Sequence, residues 1–316
     1  MKYLLASLLM AAVSVQAAES EAILNERLNS GEPTSVEGVD GWRFLPAEIR
    51  HLLAGDPSND SKRPLDAIVD FNEQLKQLGV RLIVVPVPAK LTIHPEFLDK
   101  RLAGATKASS PEAAFYEALR AKGVEVLDLT QDFAASKAQG PLYCARDSHW
   151  NGRAIALAAQ KLAAELKGIV EKEVELEARE EQIEIQGDLG GEKEKAPVRF
   201  INRKGETGRL QPDRTSPILL LGDSYVLVFY DGGDMHTAGA GLPDQLAYEL
   251  GVPVDVLGVR GSGATPARVS LARRARANPN YLSSKKVIIW CFGVRELTQA
   301  ESWKPIPLLK APSAEQ

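Results

Sequence analysis

The sequence predicts an α/β fold in which a parallel sheet is covered by helices on both faces. Three observations carry this expectation. The runs 81–87 (Arg-Leu-Ile-Val-Val-Pro-Val) and 286–293 (Lys-Val-Ile-Ile-Trp-Cys-Phe-Gly) are apolar almost throughout, as strands buried on both faces require. A further apolar run from Ile218 stops abruptly at Gly222-Asp223-Ser224. A buried strand that ends there presents a serine at its carboxyl tip, where open α/β sheets keep their reactive groups. Segments of helical spacing lie between such runs, and this β-α-β rhythm implies parallel pairing.

With 44% hydrophobic and 25% charged residues, the chain of 316 has an ordinary globular composition, which argues against disorder. Residues 1–17 carry Lys2, an apolar run over 3–13, and then Val15-Gln16-Ala17, with short side chains at the two positions a signal peptidase reads. That layout is a secretory signal peptide, with an uncleaved membrane anchor as the alternative. No later segment reaches the ~18 apolar residues of a membrane span. The mature chain, 18–316, is therefore expected to be a single soluble domain in the periplasm or outside the cell. Removing Lys2, the only charged residue of 1–17, takes the formal charge from -4 to -5. A mildly acidic chain without a basic stripe is a poor partner for nucleic acid. Two cysteines, Cys144 and Cys291, could pair in an oxidising compartment or stay as buried thiols.

Taken in order, residues 18–35 have a weak pattern, with a short helix around 21–28. The segment 38–45 joins a turn to aromatic residues at alternate positions and reads as a short strand or hairpin. A loop rich in Asp, Ser and Pro covers 55–63. Leu65, Ile68, Val69, Phe71, Leu75 and Leu78 then place a helix over 64–78, stopped by Gly79. Beyond strand 81–87, Lys90 sits in the loop at the carboxyl edge, as a functional group or as a solvated charge. A helix over 111–122 and a strand over 124–129 complete one β-α-β unit, and a helix over 154–166 follows the loop 143–152. From 170 to 185 charges are interspersed with Val, Leu and Ile, which reads as an exposed helix or strand pair. With a loop over 187–197 it makes a charged insertion spanning 170–197. After Ser224 come a helix over 242–250, a strand over 252–259 closing on Arg260-Gly261-Ser262-Gly263-Ala264, and a helix over 266–277 with Pro in its first turn.

Several reactive groups converge on the carboxyl edge of this sheet. Ser224 follows one strand, Gly261 and Gly263 follow another, and Arg295 follows the last; Asp147 and His149 share the loop before a helix. Serine acyl chemistry needs an imidazole to take the hydroxyl proton, a carboxylate to hold the imidazole in one tautomer, and backbone donors for the oxyanion. An Asp-x-His spacing in a loop lets the carboxylate fold back onto Nδ1 while Nε2 points outward. Other readings stay open on these residues alone. His149 could be a structural histidine packed by Trp150, and Asp223-Ser224 could be a helix N-cap. Asp147 and His149 could be metal ligands, but no third and fourth ligand lies at recognisable spacing, and His51, His94 and His236 are scattered. No metal or cofactor is inferred.

Gly222-Asp223-Ser224-Tyr225 resembles the Gly-Asp-Ser block of SGNH (GDSL-like) hydrolases, and Asp147-Ser148-His149-Trp150 resembles the Asp-x-His-Trp block of the alginate O-acetyltransferase branch, the periplasmic J and X types. In ordinary SGNH hydrolases the serine block comes first. Here the order is reversed, as in that branch, which implies a three-layer SGNH-like fold with circularly permuted catalytic blocks. Asp40-Gly41-Trp42-Arg43-Phe44, Val85-Pro86-Val87-Pro88-Ala89-Lys90 with Ile93-His94-Pro95-Glu96, and Gly187-Asp188-Leu189 resemble further segments of the branch. The resemblance covers about Gly38 to Leu297, and the chain stops soon after, without the carbohydrate-binding module of the X type.

Carried over, the resemblance implies Ser224 as nucleophile, His149 as base and Asp147 as its orienting carboxylate. Tyr230, six residues after the serine, resembles a tyrosine near the active site of the branch; a core aromatic is the alternative. Gly261, Gly263, Arg295 and Lys90 are the remaining candidates for substrate or oxyanion contacts, although no Gly-x-Asn-Asp oxyanion block is present. The implied activity is O-acetylation of an exported polysaccharide, alginate being the branch's own, with the acetyl donor supplied by a membrane-bound acyltransferase. The alternatives are an acetylesterase with the same triad, and a non-catalytic polysaccharide-binding or assembly protein.

Overall fold

Among the described residues nine strands organise the fold, and five of them form one parallel sheet. The computed structural model describes residues 2–104, 110–206, 208–261 and 263–308; Ser262, in the expected glycine-rich turn, lies outside them. In chain order the strands are β1 (Val36–Glu37), β2 (Arg43–Phe44), β3 (Arg81–Val87), β4 (Glu125–Val126), β5 (Leu176–Ile185), β6 (Glu194–Arg203), β7 (Ile218–Gly222), β8 (Asp255–Gly258) and β9 (Val287–Gly293). The sheet order is β4-β3-β9-β7-β8, with every neighbouring pair parallel. β1 pairs with β2 and β5 with β6, both antiparallel.

The apolar runs form strands because both of their faces are covered. Val85, Val87, Leu220, Ile289 and Cys291 point into one core, while Leu82, Val84, Leu221, Trp290 and Phe292 point into the other. The first core is closed by the helices Gly152–Glu165 and Leu242–Leu250, the second by Pro64–Gln77, Ala113–Ala121 and Ala264–Ala277. Each such side chain removed from water contributes about 1.5–3 kcal/mol, so residues buried on both faces of a strand do most to fix its place. The result is the expected three-layer α/β architecture.

Differences from the sequence reading fall at the edges. The expected strands 124–129 and 252–259 shorten to β4 and β8, the two outer strands, each paired on one side only. The expected short helix near 21–28 belongs to one helix, Lys2–Ser30, continuous with the leader-like segment. Among the described residues, no helix is long and apolar enough to cross a membrane. The charged segment is a hairpin: β5 pairs with β6 from Leu176↔Arg203 to Ile185↔Glu194, so the expected loop over 187–197 ends at Glu194. Cys144 and Cys291 are free and buried, and burial pushes both thiols well above their ordinary value.

The three strands at the sheet centre lie close enough that one position tolerates no side chain. A Cβ on Gly222 would stand 2.0 Å from the Cys291 carbonyl oxygen on β9. Backbone cannot yield there without opening the β7–β9 register, in which Gly222 faces Cys291. Gly222→Ala is expected to destabilise the fold by about 1–3 kcal/mol, as overpacked cores do, read as a lower denaturant midpoint; an unchanged midpoint would contradict this packing.

Candidate active site

Parallel strands leave all their carboxyl tips at one edge of the sheet, and that edge assembles the serine half of the site. β7 ends at Gly222, and Asp223 caps the short helix Ser224–Leu227, its Oδ1 accepting from the Tyr225 N–H at 2.9 Å. The other oxygen accepts from the Gly293 N–H at the tip of β9, also at 2.9 Å. Asp223 therefore latches two strand tips together and points Ser224 out of the sheet, where it is partly exposed. Burial raises the Asp223 carboxyl above its ordinary value, opposed by Arg295 and by the two backbone N–H groups. The N-cap reading is correct for Asp223 and leaves Ser224 free to react.

The imidazole half comes from the irregular loop between Pro141 and Asn151. His149 Nε2 stands 2.8 Å from Ser224 Oγ, and Nδ1 stands 2.7 Å from Asp147 Oδ1. The His149 N–H also reaches Asp147 Oδ1, at 2.9 Å, so the two-residue spacing closes on itself as expected. Burial alone would lower the His149 value; the hydrogen bond and charge of Asp147 outweigh it and raise it above the ordinary 6.5. His149 is not packed by Trp150 but lies against Tyr225, with ring centres 5.1 Å apart, while Trp150 donates Nε1–H to the Tyr225 carbonyl at 3.1 Å.

Three contributors to this half were assigned no role from the sequence. Asp188, at the turn between β5 and β6, receives the Ser148 N–H at 2.7 Å and the Ser148 hydroxyl at 2.6 Å, and its own N–H donates to Asp147 Oδ2 at 3.1 Å. Glu194, the first residue of β6, takes the N–H groups of Ala145 and Arg146 at 2.7 and 2.6 Å. His236, set aside as scattered, places Nε2 at 2.9 Å from Asp147 Oδ2. Gly187-Asp188-Leu189 was the one visible signal; nothing in the sequence marks His236 or Glu194.

Lys90 and Tyr230 are corrected. Lys90 is neither a solvated charge nor a substrate contact: it is fully buried, and its ammonium donates to the carbonyls of Arg43, Ala145 and Asp147 at 2.7, 2.9 and 3.1 Å. Burial lowers it to about 8. Tyr230 does not line the cleft at Ser224; it is buried beneath the Arg209 guanidinium, 4.0 Å from its ring centre.

That cleft, about 500 Å³, is lined by Ser224, Gly261, Gly263, Arg295, Glu296 and Gln299, among others. A more voluminous groove of about 720 Å³, between the Gly152–Glu165 helix and the hairpin, contains none of the reactive groups. Gly263 has φ 66° and ψ -159°, a backbone conformation that glycine alone adopts without strain, and the Glu296 carboxylate occupies the space beside its bare α-carbon. The Arg295 guanidinium sits 5.8 Å from the Tyr225 ring centre, and its Nη1 is enclosed without a hydrogen-bond partner. Burial works against its charge, but Tyr225, Asp223 and Glu48 nearby sustain it. Asp147, His149 and Asp188 offer ligand atoms within 4.8 Å of one another, yet these atoms are already engaged by one another, Ser148, Ser224 and His236.

A hydroxyl, an imidazole and a carboxylate in this relay match the requirements of acyl transfer. Comparison with known proteins agrees with the fold. The family profile described as "SGNH hydrolase-like domain, acetyltransferase AlgX" matches residues 36–293. The chain belongs to this family. Among curated relatives of this chain, "Probable alginate O-acetylase AlgJ" of Pseudomonas syringae pv. tomato is 28% identical over 202 residues, covering 60% of this chain and 49% of that protein. Its Pseudomonas aeruginosa counterpart is 27% identical over 139 residues, 44% of this chain and 34% of that protein. The chain thus spans between a third and a half of the length of these relatives. The solved O-acetyltransferase domain of Pseudomonas putida AlgJ matches with a TM-score of 0.62 at 19% identity, covering 84% of this chain and 92% of that one. Pseudomonas aeruginosa AlgX matches with 0.58 at 18% identity, covering 83% and 63%.

The raised His149 sets the pH behaviour of any reaction that uses it as a base. The imidazole accepts a proton only when neutral, so activity is lost as pH falls through its value in the folded protein. The acid limb of kcat/KM is expected above the ordinary 6.5, and Asp147→Asn, which removes the charge that raises it, should move the limb down and lower kcat. A wild-type limb below 6.5 would contradict the geometry of the pair.

Proposed function

We propose that this chain is a polysaccharide O-acetyltransferase that works through an acetyl-Ser224 intermediate. The observation that carries the reading is the continuous relay from Ser224 Oγ through His149 to Asp147, at 2.8 and 2.7 Å, in a member of an acetyltransferase family. Ser224 Oγ attacks the carbonyl carbon of the acetyl donor as His149 Nε2 takes the hydroxyl proton. The tetrahedral oxyanion is held by the Ser224 N–H, the first of its helix, with Gly261 and Gly263 in the same cleft as the candidates for a second backbone donor. Its collapse leaves acetyl-serine, and the departing group takes the proton from His149. A sugar hydroxyl then gives its proton to the same nitrogen and attacks the acetyl carbonyl; collapse returns the proton to Ser224 Oγ and releases the O-acetylated glycan.

The names of the relatives support a polysaccharide acceptor, and the leader-like residues 1–17 support export, with 18–316 acting as one domain in the periplasm or outside the cell. In that compartment a membrane-bound acyltransferase is the fitting source of acetyl groups. The partial exposure of Ser224 favours a second outcome, acetylesterase activity, because water can compete with the sugar for the acetyl-enzyme.

With an activated acetyl ester, wild-type protein is expected to carry one acetyl group on the Ser224 peptide. Ser224→Ala should lose both the adduct and turnover by at least about a thousandfold. Turnover by Ser224→Ala at the wild-type rate would overturn the nucleophile. Adding an oligosaccharide should divert product from acetate to acetylated sugar, whereas acetate alone would make the protein an esterase.

A further inference from the structure

Asp147 is approached from two sides by two imidazoles, and only one of them faces the serine. Its Oδ1 serves His149, through both Nδ1–H and the main-chain N–H. Its Oδ2 accepts from the Asp188 N–H at 3.1 Å and from His236 Nε2–H at 2.9 Å. The His236 side chain is 8% exposed and lies against the Phe229 ring, 5.4 Å between centres, so its orientation is confined.

The backbone that delivers this imidazole is strained. His236 has φ 70° and ψ -71°, and the Thr237 N–H donates to the Met235 carbonyl at 3.0 Å, which makes His236 the centre of the rare γ-turn with positive φ. Phe229, at the other end of the same loop, is also left-handed, with φ 58°. Glycine would adopt both conformations without strain, yet the sequence places a histidine at the more demanding one. Strain of this sort persists where the surroundings over-determine it and concentrates at functional sites. The loop supplies the ties: Phe229 N–H also donates to the Met235 carbonyl at 2.9 Å, and Gly232 N–H to that of Thr237 at 3.1 Å.

We propose that His236 is a positioning residue of the catalytic assembly, whose imidazole holds Asp147 from the side opposite His149, and that the strained turn at 236 is retained to deliver it. The proposal rests on the reading of Ser224, His149 and Asp147 as a triad. Two consequences follow. With four donors on two oxygens, Asp147 stays ionised and cannot swing away from His149; although burial favours its neutral form, the bonds from His149 and His236 hold it well below the usual carboxylate range. A donor on Oδ2 also draws negative charge away from Oδ1, which tempers how strongly Asp147 raises His149. The charged groups acting on His149 besides Asp147 are Asp188 and Arg295, and neither is displaced by a change at 236.

His236→Gly separates this role from a merely structural one, because glycine relieves the turn while removing the imidazole. Stability should be unchanged or higher, kcat should fall roughly ten- to hundredfold as for other partners that orient a ligand-bearing group, and the acid limb of kcat/KM should move to higher pH. Added imidazole should restore part of the lost turnover, and His236→Gln, whose amide N–H has about the same reach, should retain more activity than His236→Gly. Ser224→Ala serves as the reference. If it keeps wild-type turnover, the triad reading itself fails. If it is inactive while His236→Gly keeps wild-type kcat and pH limb, only the role of His236 is overturned. A His236→Gly protein that loses stability and activity together, with no response to imidazole, would also overturn it.

Discussion

Four hydrogen bonds converge on the Asp147 carboxylate, and the shape of the catalytic loop depends on them. Two come from His149 in the same loop, one from the main chain of Asp188 in the β5–β6 turn, and one from His236 in the loop after the Ser224–Leu227 helix. An isolated carboxylate at this depth would be driven neutral, because burying a charge without partners costs far more than any one hydrogen bond returns. Shared among three segments distant in sequence, the charge becomes the point at which those segments meet. A carboxylate with both oxygens occupied is confined in rotation, which keeps the imidazole in one tautomer with Nε2 directed at Ser224.

The two halves of the site are fixed by different means and joined by a buried cation. The serine half follows from the sheet: the β7–β9 register, the bare α-carbon of Gly222, and the Asp223 latch from Tyr225 N–H to Gly293 N–H leave Ser224 little freedom. The histidine half has almost no regular structure and would wander without external ties. Lys90 stands just beyond the tip of β3, the strand beside β9, and its three hydrogen bonds to loop and β2 carbonyls bind that half to the same sheet edge. The Tyr225 hydroxyl, donating to the Ser148 carbonyl at 3.1 Å, adds a tie from the helix that Ser224 begins. Each of these groups has its polar atoms satisfied by main chain, which is the condition under which a buried polar group fixes a structure.

What could be read from the sequence follows the reach of each interaction. β3, β7 and β9 were legible because burial on both faces leaves an apolar run that nothing else explains, while β4 and β8, with one neighbour each, carry a shorter signal. The hairpin β5–β6 was ambiguous because its residues alternate too weakly to betray a face, and pairing rather than burial makes them strands. The Asp147–His149 pair was legible because a two-residue spacing already encodes its contact, and Ser224 because an apolar run stops just before it. Asp188 and His236 were not, since their roles arise only when segments 41 and 89 positions from Asp147 are brought to it. Lys90 and Tyr230 stood in plausible places, but sequence does not state whether a loop side chain turns toward the cleft or into the core. Both turn inward.

The order of the catalytic blocks bears on the same distinction between local and distant contacts. An acyl-transfer site constrains where groups stand relative to the strand tips, not when they occur in the chain, so an imidazole block may precede the serine block if the sheet returns them to one edge. Here β3, early in the chain, inserts beside the last described strand, β9, and β9 in turn lies beside β7, which leads into Ser224. The last strand thus occupies the centre of the sheet, and its tip meets Asp223 on one side while the segment beyond β3 supplies Lys90 on the other. The imidazole arrives from an irregular loop that is held by main-chain bonds, from Arg43 N–H to the Ala145 carbonyl at 2.8 Å and from Leu189 N–H to the Arg146 carbonyl at 3.1 Å, as well as by side chains. Buried polar groups are concentrated around Asp147, and a strained turn brings His236 within hydrogen-bond distance of it.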